Sequence, residues 1–255
     1  AFSSPDEVLE REIMNHLFPD TTYGCESGGD PKNIPDLTYE NFLNFHRTYY
    51  HPSNSYIYLY GNMDMEEKLA FLDEHYLSHF DYLDVDSVIQ EQKAFGACRD
   101  VTLEYPVAEN EGEEDNTYLS YNMVVGNAAD SQMAMAFEVL DYALLSAPGA
   151  PLKQALLDVK AGKDVYGSYD DGIPQPYFTV IAKGSNPDRK EEFVSVIRQV
   201  LGDIVKNGID KKAVEAGINY FEFRYREADF SSYPKGLMYS LDILGDWLYE
   251  SKAPF

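Results

Sequence analysis

The chain contains one local pattern twice, and this repetition limits its possible folds more than any other feature. The run Tyr56–Tyr60 is rich in strand-forming residues and is followed by Gly61, a polar turn and an amphipathic helix. The run Tyr177–Lys183 is followed in the same way by Gly184, a polar turn and another amphipathic helix. Aromatic and β-branched residues favour strands, and glycine with polar residues ends them. Two such units predict a duplicated fold.

Other elements surround the two copies in an irregular order. Capping residues and apolar spacing predict helices that begin near Pro5, Thr38, Asp64, residues 130 and 151, Asn186, Asp210 and Pro234. Alternation predicts strands at 101–105, 118–125, 164–170 and 177–183, with an acidic loop at 109–115. This mixture favours an α+β fold, with mostly antiparallel sheets packed against helices, over a doubly wound parallel sheet. The pattern loosens at 81–96, which predicts one unit in residues 1–93 and a second in residues 94–255.

The charge of the chain limits its partners. There are 20 Lys and Arg against 44 Asp and Glu, which gives a formal net charge of −24. Such a surface repels the phosphates of nucleic acids and of anionic membranes, so we expect neither as a partner. No run of residues approaches the roughly 18 apolar residues of a membrane span. A partner attracted over a distance would be cationic.

Cys25 and Cys98 are the two cysteines, and they lie far apart in the sequence. They form neither a C-x-x-C motif nor a cysteine-rich framework, so reduced thiols are favoured, with a single disulfide as the alternative. A reducing compartment favours the cytoplasm of a bacterium, and a mitochondrial matrix-like compartment is the alternative.

Three motifs follow one another near the N-terminus. They are T-Y-G-C-E-S-G-G-D-P at 22–31, I-P-D-L-T at 34–38 and F-H-R-T-Y-Y-H-P-S-N at 45–54, and the segments 60–64 and 144–152 continue the series. In this order and spacing they resemble the presequence-protease branch of the pitrilysin and insulysin family of inverzincin zinc metallopeptidases. The similarity of residues 96–255 lies more in element order than in motifs, and the resemblance covers essentially the whole chain.

The resemblance implies a longer parent protease in which four homologous α+β units enclose a chamber and degrade short unstructured peptides. Residues 1–93 would be the C-terminal part of a first, incomplete unit, and residues 94–255 most of a second unit without zinc. The zinc motif of the family, H-x-x-E-H with a later Glu ligand, would lie before Ala1. The resemblance therefore implies zinc in the parent, and no cofactor and no catalytic residue in this chain. This piece would form chamber wall and substrate-holding surface.

The five histidines form no H-x-x-E-H motif. The nearest arrangement is His75 and His79, whose spacing would place both imidazoles on one face of a helix, with Ser78 where the general base should be. Such spacing is common on helices. We therefore favour two histidines at the edge of a buried apolar stripe over a metal site. The stripe consists of Met65, Leu69, Leu72, Tyr76 and Phe80.

The glycines of Ser27–Asp30 could suggest a phosphate-binding loop. The segment lacks the Lys, the preceding strand and the following helix that such loops require. Turn geometry is the favoured explanation of these glycines.

One strand is a candidate substrate-binding site, and it consists of Phe178, Thr179, Val180, Ile181 and Ala182. The resemblance implies that an edge strand of the second unit pairs with the substrate backbone, as in strand addition. Plain sheet core is the favoured alternative. An acidic chamber wall would favour basic peptides as substrates, and a merely solvated acidic surface is the favoured alternative.

The expected partners are peptide substrates and the remainder of the parent protease. Unpaired strand edges could also cause self-association. Two other hypotheses stay open: a natural zinc-less peptide-binding subunit of a two-component protease, and an unrelated acidic binding module.

Overall fold

A computed structural model describes residues 4–108, 112–227 and 232–249. The helices are α1 Pro5–Leu17, α2 Tyr39–Tyr49, α3 Met65–His75, α4 Ser131–Asp141, α5 Pro151–Asp158, α6 Lys190–Asn207, α7 Lys211–Glu227 and α8 Lys235–Leu248. The strands are β1 Thr117–Val124, β2 Asp164–Asp170 and β3 Tyr177–Ser185. Part of the predicted acidic loop, residues 109–111, lies outside the described residues.

The three strands form one antiparallel sheet in the order β1-β3-β2. β3 pairs with β1 from Tyr177 to Ser185 and with β2 from Tyr177 to Lys183, so it lies in the centre. Helices and an antiparallel sheet therefore share one fold, and the predicted α+β class is confirmed.

One face of the sheet holds the larger core. Val165, Phe178, Val180 and Ala182 alternate with residues of the other face, as a pleated strand requires. They pack against buried residues of the helices, namely Leu144, Leu145, Leu152, Leu156, Phe193 and Ile197. Burying one such side chain contributes about 1.5–3 kcal/mol, so this layer supplies much of the stability of the sheet.

The opposite face of the sheet is covered by α1. Ile13 and Phe18 pack against Tyr177 and Ile181 of β3. At the other end of the helix, Lys183 Nζ donates to Asp6 Oδ2 over 2.8 Å. This hydrogen bond with Asp6 raises the pKa of Lys183. The pair is exposed, so we assign it about 0.2–1 kcal/mol at most, and most of the affinity of α1 for the sheet is apolar.

The predicted connection at 81–96 has no helix or strand, but one of its residues is firmly held. Gln92 is buried, its backbone N–H donates to Gln175 Oε1 over 2.6 Å, and Gln175 Nε2 donates back to the Gln92 carbonyl oxygen over 3.1 Å. The Gln92 side chain also accepts a hydrogen bond from the Asp20 N–H and donates to the Asp20 carboxylate. The division of the chain at residue 93 stays a prediction.

Two predicted helix caps are confirmed. Thr38 Oγ1 accepts a hydrogen bond from the Asn41 N–H, and Asp64 Oδ1 accepts one from the Glu67 N–H. A cap of this kind stabilises a helix by about 1 kcal/mol.

The start of α6 differs from the prediction in one respect. The Asn186 side chain caps no amide of the following turn. Instead its Nδ2 donates to Asp115 Oδ1, and its Oδ1 accepts a hydrogen bond from the Asp115 N–H. The side chain therefore links the approach to β1 with the end of β3.

Two predicted strands are wrong: residues 56–60 and 101–105 belong to no strand in the described part of the chain. A strand needs the ladder hydrogen bonds of a neighbour as well as a suitable sequence. Tyr58 Oη instead donates to the Gly236 carbonyl oxygen of α8 over 2.9 Å. The duplicated unit thus keeps its glycine and its helix in both copies, but its strand in the second copy alone.

Candidate functional site

Two helices, α2 and α3, each expose an apolar side, and these exposed side chains are the most distinctive surface feature of the molecule. Neither helix has a buried residue. We use the name α2–α3 face for the large exposed side chains that share one side of each helix, Phe42, Phe45 and Tyr49 of α2 and Met65 and Leu69 of α3. Phe42 is 65%, Phe45 59% and Leu69 55% exposed, which is unusual for side chains of this size.

The stripe of α3 predicted to be buried is therefore exposed in this structure. Leu72 is half-buried, whereas Met65, Tyr76 and Phe80 are exposed. The helix forms as predicted because its cap and local spacing are present. Its apolar residues lack a covering layer among the described residues, and clusters of exposed apolar side chains of this kind mark interaction surfaces.

His75 and His79 do not share one helical face. His75 is the last residue of α3, the backbone breaks at Tyr76 (φ −138°, ψ −67°), and His79 ends the separate short turn Leu77–His79. The His75 ring packs against Phe71 with 4.6 Å between ring centroids. No group of three or more His, Cys, Asp or Glu side chains able to hold a metal is found in the described residues. The side chains present therefore do not fit a zinc site.

The candidate strand at residues 178–182 does not have the position that substrate pairing requires. It is the middle of β3, whose backbone pairs on both sides, and its side chains are buried. The expectation of an edge strand is thus corrected, because no unpaired main-chain groups face outward there. The outer edges of the sheet belong to β1 and β2. Whether residues 178–182 bind a substrate peptide stays a prediction.

The glycine-rich segment forms a turn, as its residue types indicate. A Cβ atom on Gly24 would lie 2.4 Å from the Phe18 carbonyl oxygen, and Gly29 has φ +87°. Its backbone N–H groups are directed to carboxylates: Gly28 donates to Glu26 Oε1 and Lys32 to Asp30 Oδ1. A phosphate would meet negative charge in this turn.

A cleft of about 550 Å³ lies between α1 and this turn. Cys25 lines it together with acidic side chains, Glu7, Glu10 and Glu26. The residues that line the cleft include no histidine that could act as a base for the thiol. The cleft therefore offers no cysteine nucleophile of the ordinary kind.

A second feature, which the sequence patterns did not reveal, is a cluster of carboxyl groups. It lies where α4, the turn between β2 and β3, and α8 come together, and it comprises Glu138, Asp141, Asp171, Asp242 and Asp246. Burial, with the nearby charge of Asp171, raises the pKa of Glu138 from its ordinary value of 4.5 to about 7. The members are up to 108 residues apart in sequence, from 246 − 138, so no local motif could have identified them.

Among the described residues, no helix is both long enough and apolar enough to cross a bilayer.

Comparison with known proteins gives a consistent result. A family model described as the peptidase M16 inactive domain matches residues 36–221. Protein HypA of Clostridium perfringens is 48% identical over 250 residues, which are 98% of this chain and 26% of that protein. Presequence protease 1, chloroplastic/mitochondrial, of Arabidopsis thaliana is 35% identical over 253 residues, covering 98% of this chain and 23% of that protein. The chain thus spans about a quarter of the length of these relatives.

Solved structures support the fold. A peptidase M16 inactive domain from Pseudomonas fluorescens matches with a TM-score of 0.62 at 17% identity, over 97% of this chain and 56% of that one. A protease from Helicobacter pylori matches with a TM-score of 0.56 at 17% identity, over 98% of this chain and 63% of that one. At this identity the likeness concerns the fold alone.

Proposed function

This chain belongs to the peptidase M16 inactive-domain family, and on that premise we propose that it is a non-catalytic part of a longer zinc-dependent endopeptidase that degrades short unstructured peptides. Its role there is to form part of the wall of a closed chamber and to hold substrate. Its family membership removes the unrelated acidic binding module from consideration.

One observation carries this proposal: the α2–α3 face is apolar and exposed although both helices are well capped. In the proposed assembly, the remainder of the parent protease covers this face. The matching segment is about a quarter of the length of these relatives, which supports the proposal that this chain is part of a longer protease.

The proposal assigns the zinc to the parent and not to this segment. No metal-binding group occurs in the described residues, so we derive no hydrolytic step from them. We expect the purified chain, with zinc added, to cleave a fluorogenic peptide at the background rate. The assay needs a zinc peptidase as positive control. Hydrolysis that a chelator abolishes, in a pure preparation, would contradict this assignment.

The net charge of −24 favours basic peptides as the substrate class. We expect a cationic amphipathic peptide to bind the chain and to bind several-fold more weakly when salt is raised from 50 to 500 mM, because screening shortens the range of the attraction. The matched control is a peptide of equal length with its lysines replaced by glutamates. Binding that ignores both salt and peptide charge would disprove electrostatic attraction.

The zinc-less subunit of a two-component protease is the remaining alternative, and the family description as an inactive domain favours it equally. The mass of the native gene product distinguishes the two.

For the compartment, we propose the cytoplasm of a bacterium, supported by the bacterial source of a 48% identical relative and by two free cysteines. A mitochondrial matrix-like compartment is the alternative, supported by the names of the presequence proteases.

A further inference from the structure

α8 is held to the rest of the molecule by few contacts. None of its residues is buried. Tyr239 Oη donates to the Tyr225 carbonyl oxygen of α7 over 3.0 Å, and Tyr249 Oη, just beyond α8, donates to the Gly172 carbonyl oxygen over 2.6 Å. An element with no fully buried residue and few hydrogen bonds to its neighbours is among the first to open.

The carboxyl cluster lies at the docking site of α8. α8 contributes Asp242 and Asp246, α4 contributes Glu138 and Asp141, and the turn after β2 contributes Asp171. Two buried carboxylate oxygens, Glu138 Oε2 and Asp141 Oδ1, accept no hydrogen bond from the described residues. A buried carboxylate oxygen without a donor strongly disfavours the ionised form.

The other groups that face Glu138 do not neutralise the negative charge of its ionised carboxylate. α7 contributes one cation, Arg224, whose charge lowers the pKa of Glu138, and one phenol, Tyr225. β2 contributes a second phenol, Tyr169. Burial, followed by the charge of Glu138, raises the pKa of Tyr225 to about 12, so both phenols stay neutral near pH 7. Ionisation of Glu138 therefore adds a negative charge opposite Asp171 and Asp242, with one cation nearby.

We propose that the carboxyl cluster makes the docking of α8 pH-sensitive: α8 is docked against α7 and the turn after β2 in mildly acidic solution and loosens as the cluster ionises. The direction follows from proton binding. Asp242 of α8 faces Glu138 only while α8 is docked, and its negative charge there raises the pKa of Glu138 further, so the docked state binds more protons and loses stability as pH rises toward 7.

Loosening of α8 would also affect the segment that precedes α3. Tyr58 Oη donates to the Gly236 carbonyl oxygen, and the rings of Tyr56 and Trp247 lie 6.2 Å apart. α8 thus connects residues 56–60 with α7, and its release would free both. Trp247 is the single tryptophan of the chain, so its fluorescence reports on this contact directly.

The test is a pH titration of Trp247 fluorescence from pH 5 to pH 8.5, with hydrogen exchange of residues 235–248 measured at pH 6 and pH 8. We expect a fluorescence transition near pH 7. After correction for intrinsic chemistry, exchange should be on the order of tenfold faster at pH 8, since solvent screening of a half-buried group reduces the full effect. Glu138→Gln should abolish both changes.

Glu215→Gln is the matched control, because Glu215 is an exposed glutamate of the adjacent helix α7 and its removal changes the net charge equally. It should titrate like the wild type. Asp242→Asn provides an independent variant on α8 and should move the transition to lower pH, because it removes a like charge from Glu138. Circular dichroism checks that each variant is folded. A wild-type signal independent of pH, or a transition that persists in Glu138→Gln, would overturn the proposal.

Discussion

At the scale of single residues, backbone geometry decides the role of a glycine, Gly24, and of a histidine pair, His75 and His79. The Phe18 carbonyl oxygen occupies the space that a side chain at Gly24 would need. His75 and His79 have the spacing of metal ligands, yet the helix ends between them. Sequence spacing predicts a shared helical face only while the helix continues. Residues 71–80 contain no proline or glycine, so the sequence does not predict the end of the helix at Tyr76.

The two glycines of the turn give a matched test. Gly24→Ala forces a Cβ atom against backbone 2.4 Å away, so we expect a loss of about 1–3 kcal/mol in the free energy of unfolding. Gly28→Ala places its Cβ atom 3.5 Å from a glutamate side chain that can move. Urea denaturation should therefore show a lower midpoint for Gly24→Ala and an unchanged one for Gly28→Ala. Equal midpoints for the two variants would show that the close approach at Gly24 does not matter.

At the scale of elements, helices were predictable and strands were less so. Caps such as Thr38 and Asp64 act within one turn, so the sequence near the helix suffices to locate its start. A strand depends on a partner that can lie anywhere in the chain, and residues 56–60 have a strand composition without such a partner in the described part of the structure. The central position of β3 was likewise beyond the sequence, because alternation identifies a strand but not its neighbours.

The sheet gives an element-scale expectation about packing. Gly167 of β2 lies under Leu145, and a Cβ atom there would be 2.3 Å from Leu145 Cδ1 and 2.6 Å from the Thr179 carbonyl oxygen. We expect Gly167→Ala to lower the melting temperature by several degrees, as overpacking of a core costs about 1–3 kcal/mol. Gly202→Ala on α6, whose Cβ atom meets no neighbour within 4 Å, is the control and should be neutral or slightly stabilising. An unchanged melting temperature for Gly167→Ala would contradict this close packing at Gly167.

At the scale of the whole molecule, the structure divides into a packed part and an exposed part. The sheet with α1, α5 and α6 buries its apolar residues on both faces. The α2–α3 face does not, although both helices carry several large apolar side chains. The motifs at 22–54 predicted the family resemblance. The sequence did not predict the extent of the exposed face, because the spacing of apolar residues does not show which other element covers them.

The central claim is that the α2–α3 face is built to be covered by another part of a larger protein. Sedimentation of the purified chain over a range of micromolar concentrations tests it most directly, with binding of an apolar dye as a second signal. The double variant Phe42→Ser/Leu69→Ser removes two side chains of the face, and Val205→Ser removes an 87% exposed apolar side chain of α6 as a matched control. We expect the wild type and Val205→Ser to self-associate and bind the dye, and the double variant to do so several-fold more weakly. A wild-type chain that stays monomeric and binds no dye would contradict the account.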